Sequence, residues 1–151
     1  MSERGERIEL IRSSVEELLG EIWGAEKVRV DDDGDIPFRY GSAACWVSVL
    51  DTKPTMVRVF AHAAYDVGTS ARLLVELNDI QLATLSATVA WCDGTVLVSQ
   101  TLSPHGLNRR SLRQAMRAVA GVANDVGPLL AGLFDGETPY PATADLGQDA
   151  V

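Results

Sequence analysis

Basic charge is scarce in this chain: 13 Lys and Arg stand against 21 Asp and Glu, a formal net charge of −8. A chain so acidic lacks the electrostatic footprint that gathers phosphate backbones, which argues against nucleic-acid binding. An anionic membrane surface repels it as well. Cysteine is nearly absent. Cys45 and Cys92 are the only two, and they form no C-x-x-C pair. A disulfide framework is excluded, and two reduced, buried structural thiols are the expectation. Long apolar runs are missing too, since no segment approaches the roughly 20 apolar residues that span a bilayer. The charged opening Met1–Arg7 has no apolar run behind it before Ile8, so we expect no secretory leader and a cytoplasmic protein.

Chemical signatures are equally sparse. No G-x-S-x-G elbow and no glycine-rich phosphate loop occurs. The acidic run Asp31–Asp35 invites a calcium reading. With Gly34 at position six of an EF-hand loop, however, Arg29 takes position one and Tyr40 position twelve, and neither residue can serve. His62 and His105 lie far apart, with no ligand pair at zinc spacing. Arg109, Arg110, Arg113 and Arg117 cluster on one predicted helix and read as a solvated face. No catalytic residue, cofactor or metal is therefore assigned.

What is present is punctuation and periodicity. Asp33-Gly34 and Asp93-Gly94 reach positive φ cheaply and predict two tight hairpins. Ile8, Ile11, Val15, Leu18, Leu19 and Ile22 predict a helix over Glu6–Trp23, stopped by Gly24. Strands are expected at Lys27–Asp31, at Ile36–Leu50 with a bulge at Gly41, and at Thr55–His62. A second helix, capped by Thr69 or Ser70, carries Leu73, Leu74, Leu77 and Ile80. Strands Leu82–Trp91 and Thr95–Leu102 follow. Asn108 caps a third helix, which Gly127-Pro128 should break or kink before a final turn. The expected order is α-β-β-β-α-β-β-α, an α+β fold with a twisted antiparallel sheet. Residues 1–134 form a single domain in this reading, and 135–151 a disordered acidic tail.

Strand parity gives the one functional clue in the residues themselves. Cys45, Val47 and Val49 share a side with Val57, Val59, Ala61, Val96 and Val98, which suits a face under the helices. The other face then carries Trp46, Met56, Phe60 and Leu97 among polar groups such as Arg58 and His62. Bulky apolar groups gathered on an exposed face mark an interface with a partner or a second subunit. The alternative is that the second helix or the tail covers them.

The stretches Val30-Asp31-Asp32-Asp33-Gly34-Asp35-Ile36-Pro37-Phe38-Arg39-Tyr40-Gly41-Ser42-Ala43, Val57–Phe60, Leu77–Ile80 and Trp91–Val98 resemble the YbjN-type proteins of actinobacteria. These are grouped with the class I, CesT-like type III secretion chaperones. The resemblance runs from about Ile8 to Phe134. It implies a homodimer that holds extended client segments in apolar grooves, and it carries no catalytic signature. The expected function is thus a non-enzymatic chaperone-like module binding a peptide or protein segment. The rivals are a regulatory or structural dimer without a client, and a small-molecule binder or enzyme using a pocket between sheet and helices.

Overall fold

A computed structural model describes residues 2–141. Helix α1 spans Glu3–Trp23, β1 Ile36–Tyr40, β2 Ala43–Leu50, β3 Met56–Ala64, α2 Ala71–Ala83, β4 Thr88–Cys92, β5 Thr95–Leu102 and α3 Arg109–Leu133. The strands make one antiparallel sheet in the order β1-β2-β3-β5-β4. The α+β class and the element order agree with expectation, although two strands are not the ones read from sequence.

The Lys27–Asp31 strand is absent. There Asp31 closes a loop on itself: its Oδ1 accepts from the amides of Asp33 and Asp35, and its carbonyl accepts from Gly34 N. The outer edge of β1 explains why no strand pairs there. Tyr40 and Ala43 face each other across a two-residue turn, so Pro37 and Arg39 point their backbone away from β2. Proline has no amide to offer a neighbouring strand. The expected long strand divides at Gly41 instead of bulging. Gly41 sits at φ +54, the conformation that the first position of such a turn requires. A Cβ on Gly41 would also overlap the Asn124 side chain, whose Oδ1 accepts from Ser42 N at 3.0 Å and Ser42 Oγ at 3.2 Å. The hairpin is thereby pinned to α3.

Helix α1 ends at Gly24 in the left-handed conformation. Ser70 and Asn108 cap α2 and α3, the latter with a reciprocal capping box to Ser111. Two further boundaries move. Helix α2 runs through Leu82 and Ala83, so β4 begins only at Thr88. Helix α3 continues through Gly127 and Pro128 to Leu133. Gly127 is there for proximity: a Cβ would collide with the Ala63 carbonyl, at the irregularity between His62 and Ala64 in β3.

The core lies between the sheet and α1 and α3, with α2 closing it beside β4. Val15 and Leu19 of α1, Cys45, Val47, Val57, Val59, Ala61, Val96 and Val98 of the sheet, and Leu112, Met116, Val119 and Ala123 of α3 are all buried. Cys45 is enclosed, and burial pushes its thiol up to about 12. Cys92, expected to be buried, is exposed. It lies three strands away across the sheet, roughly 14 Å by strand spacing, beyond the span of a disulfide.

The chain does not lose its bonding at Asp135, where the acidic tail was expected to begin. Gly136 N donates to Ala131 O, Tyr65 and Glu137 exchange two backbone bonds, and Tyr140 N donates to Ser42 O at 3.1 Å. The remainder of that expected tail, 142–151, lies outside the described residues. Among the described residues no helix is long and apolar enough to cross a membrane.

Candidate interaction face

Antiparallel register places directly opposed residues on the same side of a sheet, so the face turned away from α1 and α3 can be read row by row. One row is Arg39, Ala44, His62, Leu97 and Ala90. The next is Pro37, Trp46, Phe60, Ser99 and Thr88. A third is Ser48, Arg58 and Thr101, and Leu50 opposite Met56 closes the far end. The rows carry two guanidinium groups and no carboxylate.

Four aromatic rings gather at the centre. Trp46 and Phe60 stack with centroids 5.2 Å apart and planes 17° from parallel. His62 tilts against Trp46 at 4.6 Å and meets Tyr65 edge-on at 5.4 Å. His62 Nδ1 and the Tyr65 hydroxyl lie 2.8 Å apart in a hydrogen bond. Burial lowers the His62 pKa below its ordinary 6.5. Burial first, and then the nearby Tyr140 phenol, raises that of Tyr65. The neutral imidazole is thus the favoured form. Trp46, Phe60, His62 and Leu97 are half-buried, the three rings packing on one another, and among the described residues α2 packs against β4 rather than over them.

Of the four residues singled out from sequence, Trp46 and Phe60 are in contact and Leu97 is the cross-strand partner of His62. Met56 is set apart at the end of the sheet, opposite Leu50 and beyond Arg58. Parity had placed His62 on this face without including it in the cluster. Tyr65 was missed: it follows the irregularity after His62, where simple alternation no longer holds. The final described segment forms a rim. Tyr140, hydrogen bonded to the β1–β2 hairpin, lies under the Arg39 guanidinium at 3.8 Å from ring centroid to Cζ.

A second apolar surface lies on α2. Leu74 is 55% exposed, Val75 60%, Leu82 75%, and Leu85 just past the helix end 99%. Leu74 and Leu82 stand two four-residue steps apart and so share one face. The opposite face of α2 buries Leu73 and Leu77. Gln81 ties the helix to the sheet edge: its Nε2 donates to Ala87 O and its Oε1 accepts from Val89 N. Among the described residues no group of three or more His, Cys, Asp and Glu is placed to hold a metal ion.

Residues 9–142 match the model of a family described as T3SS (YopN, CesT) and YbjN peptide-binding chaperone 1. Among curated protein sequences none matches the chain. The fold is similar to a chain of the ExsC–ExsE complex, with TM-score 0.62 and 16% identity over 78% of this chain and 94% of that one. It is similar to a chain of the HopA1–SchA chaperone–effector complex, with TM-score 0.61 and 12% identity over 77% and 92%. It is also similar to YbjN from E. coli, with TM-score 0.55 and 18% identity over 85% and 96%.

Proposed function

The chain belongs to the T3SS (YopN, CesT) and YbjN peptide-binding chaperone family, and on that premise we propose that it is a non-enzymatic module holding an extended client segment across the open sheet face. One observation carries the choice of surface. The stacked Trp46–Phe60 pair, with His62 and Leu97 beside it, sits on the face that α1 and α3 leave free. Fully burying an exposed large apolar side chain contributes about 1.5–3 kcal/mol, and these half-buried side chains gain the remaining part of that under a client.

The sheet edges are poor alternatives. Strand addition needs a row of free amides and carbonyls. Pro37 removes a donor from the outer edge of β1. On β4 the Gln81 side chain already occupies the Val89 amide and the Ala87 carbonyl. A client that cannot extend the sheet sideways can still lie over it.

Homodimer formation belongs to the same proposal, through the exposed α2 stripe of Leu74, Val75 and Leu82 rather than the sheet face. Two surfaces then serve two partners without competition. A cytoplasmic setting, in keeping with the chaperone family match, and the actinobacterial, class I placement, supported by the stretches that carry the resemblance, are part of this reading.

Selection from a displayed random library of peptides about nine residues long, roughly 30 Å when extended, tests the function. The wild-type chain should enrich specific peptides, and Trp46→Glu or Phe60→Glu should reduce capture at least about tenfold, the cost of a central anchor. Equal capture by wild type and both variants would overturn the reading.

A further inference from the structure

Resting on that reading, we infer that the segment held by this face is acidic, with Asp or Glu at positions i and i+4 around an apolar residue at i+2. The register carries the inference. Arg39 stands on β1 in the His62 row, Trp46 on β2 one row further, and Arg58 on β3 one row beyond that. The three residues therefore lie on one diagonal, with Trp46 at its midpoint. Strand spacings near 4.8 Å and two-residue steps near 6.8 Å put the two arginine backbones about 16–17 Å apart.

An extended polypeptide turns residues i, i+2 and i+4 to the same side, with i and i+4 about 13 Å apart. Arg39 is held toward the hairpin, its Nε donating to Gly41 O at 3.5 Å, so the exposed Arg58 arm and the length of the client's acidic side chains take up the difference. The central side chain then falls on the stacked Trp46–Phe60 surface. Charge fixes the sign of the outer positions. Among the described residues neither Arg39 nor Arg58 pairs with a carboxylate, and no acidic residue occupies the rows of this face. Tyr140 packs against the Arg39 guanidinium at 3.8 Å and holds it in place, while Arg58 is exposed.

The net charge of −8 repels an acidic client at long range. At physiological salt that repulsion is screened beyond about 8 Å. Contact with two cations on described rows that carry no carboxylate outweighs it. An RNA or DNA strand would need many such cations, and the face offers two.

The displayed library separates this inference from the reading beneath it. Peptides enriched by the wild-type chain should carry Asp or Glu four residues apart around Leu, Phe, Ile or Val. A labelled peptide with that pattern should bind about tenfold tighter than its Lys-for-Glu counterpart. The preference should shrink in Arg39→Gln/Arg58→Gln and near 0.5 M salt, as exposed ion pairs do. The glutamine variant keeps most of the side-chain stem, and an unchanged melting temperature verifies its fold. Enrichment of apolar peptides without acidic flanks, captured equally by the glutamine variant but lost in Trp46→Glu, would overturn the acidic pattern and leave the face reading intact. No enrichment at all would overturn both. So would a dimer that Trp46→Glu converts to monomer, because a second copy would then occupy the face.

Discussion

Single side chains on the open face answer to different forces from those in the core. Trp46 gives up some stacking on substitution, worth about 0.5–1.5 kcal/mol, but leaves no cavity. Its replacement should change partner binding far more than stability. His62 links the face to pH. Its folded-state pKa lies below the ordinary 6.5 because burial disfavours the imidazolium. Between the lowered value and 6.5 the unfolded chain binds the extra proton, so stability rises with pH across that window. Acidification from pH 7 should lower the melting temperature as pH falls through 6.5, and His62→Gln should flatten that dependence. Thermal melts of both proteins over this range check it, and identical slopes would contradict it. The face was legible from sequence at this scale because strand side chains alternate with period two, so Trp46 and Phe60 fell on one side from spacing alone. Tyr65 was not legible. Its place depends on the irregularity between His62 and Ala64, where α3 comes close to β3.

Elements were legible where the cue lies in one residue. Gly24, Ser70, Asn108 and Asp93-Gly94 each end or join an element through their own backbone or side chain. They misled where the deciding partner is distant. Gly41-Ser42 turns the chain because Asn124, 82 residues from Ser42, holds it. Val28 and Val30 look strand-like, but Pro37 denies them a neighbour. The segment Gly136–Tyr140 is held by backbone bonds, which leave no mark on side-chain periodicity. Pro128 read as a helix breaker, yet packing of α3 on the sheet keeps it helical. Two neighbouring substitutions should therefore act in opposite directions. Gly127→Ala forces a methyl against the Ala63 carbonyl and should destabilise by about 1–3 kcal/mol. Pro128→Ala restores an amide in the helix interior, where proline costs about 3 kcal/mol, and should raise the melting temperature by a few degrees. Calorimetry on the two variants checks the pair. A stable Gly127→Ala would mean that α3 can move away from β3.

At the scale of the whole molecule, the fold keeps two apolar surfaces apart. The sheet face opens opposite α1 and α3, and the α2 stripe lies at the β4 end. If α2 joins two subunits, Leu74→Lys/Leu82→Lys should yield a monomer in light scattering and leave peptide affinity per subunit unchanged. Loss of peptide binding in that monomer would tie the two surfaces together. The family was legible in the resemblance of a few turn and strand stretches, and its model matches residues 9–142, whereas the assembly left no comparable mark in the sequence.

Nuclear magnetic resonance shift mapping with a library-selected peptide addresses the binding face most directly. Perturbations should concentrate at Arg39, Trp46, Arg58, Phe60, His62 and Leu97 and largely spare Leu74, Val75 and Leu82. Shifts confined to α2, or running along the outer edges of β1 and β4, would contradict a client held across the open sheet.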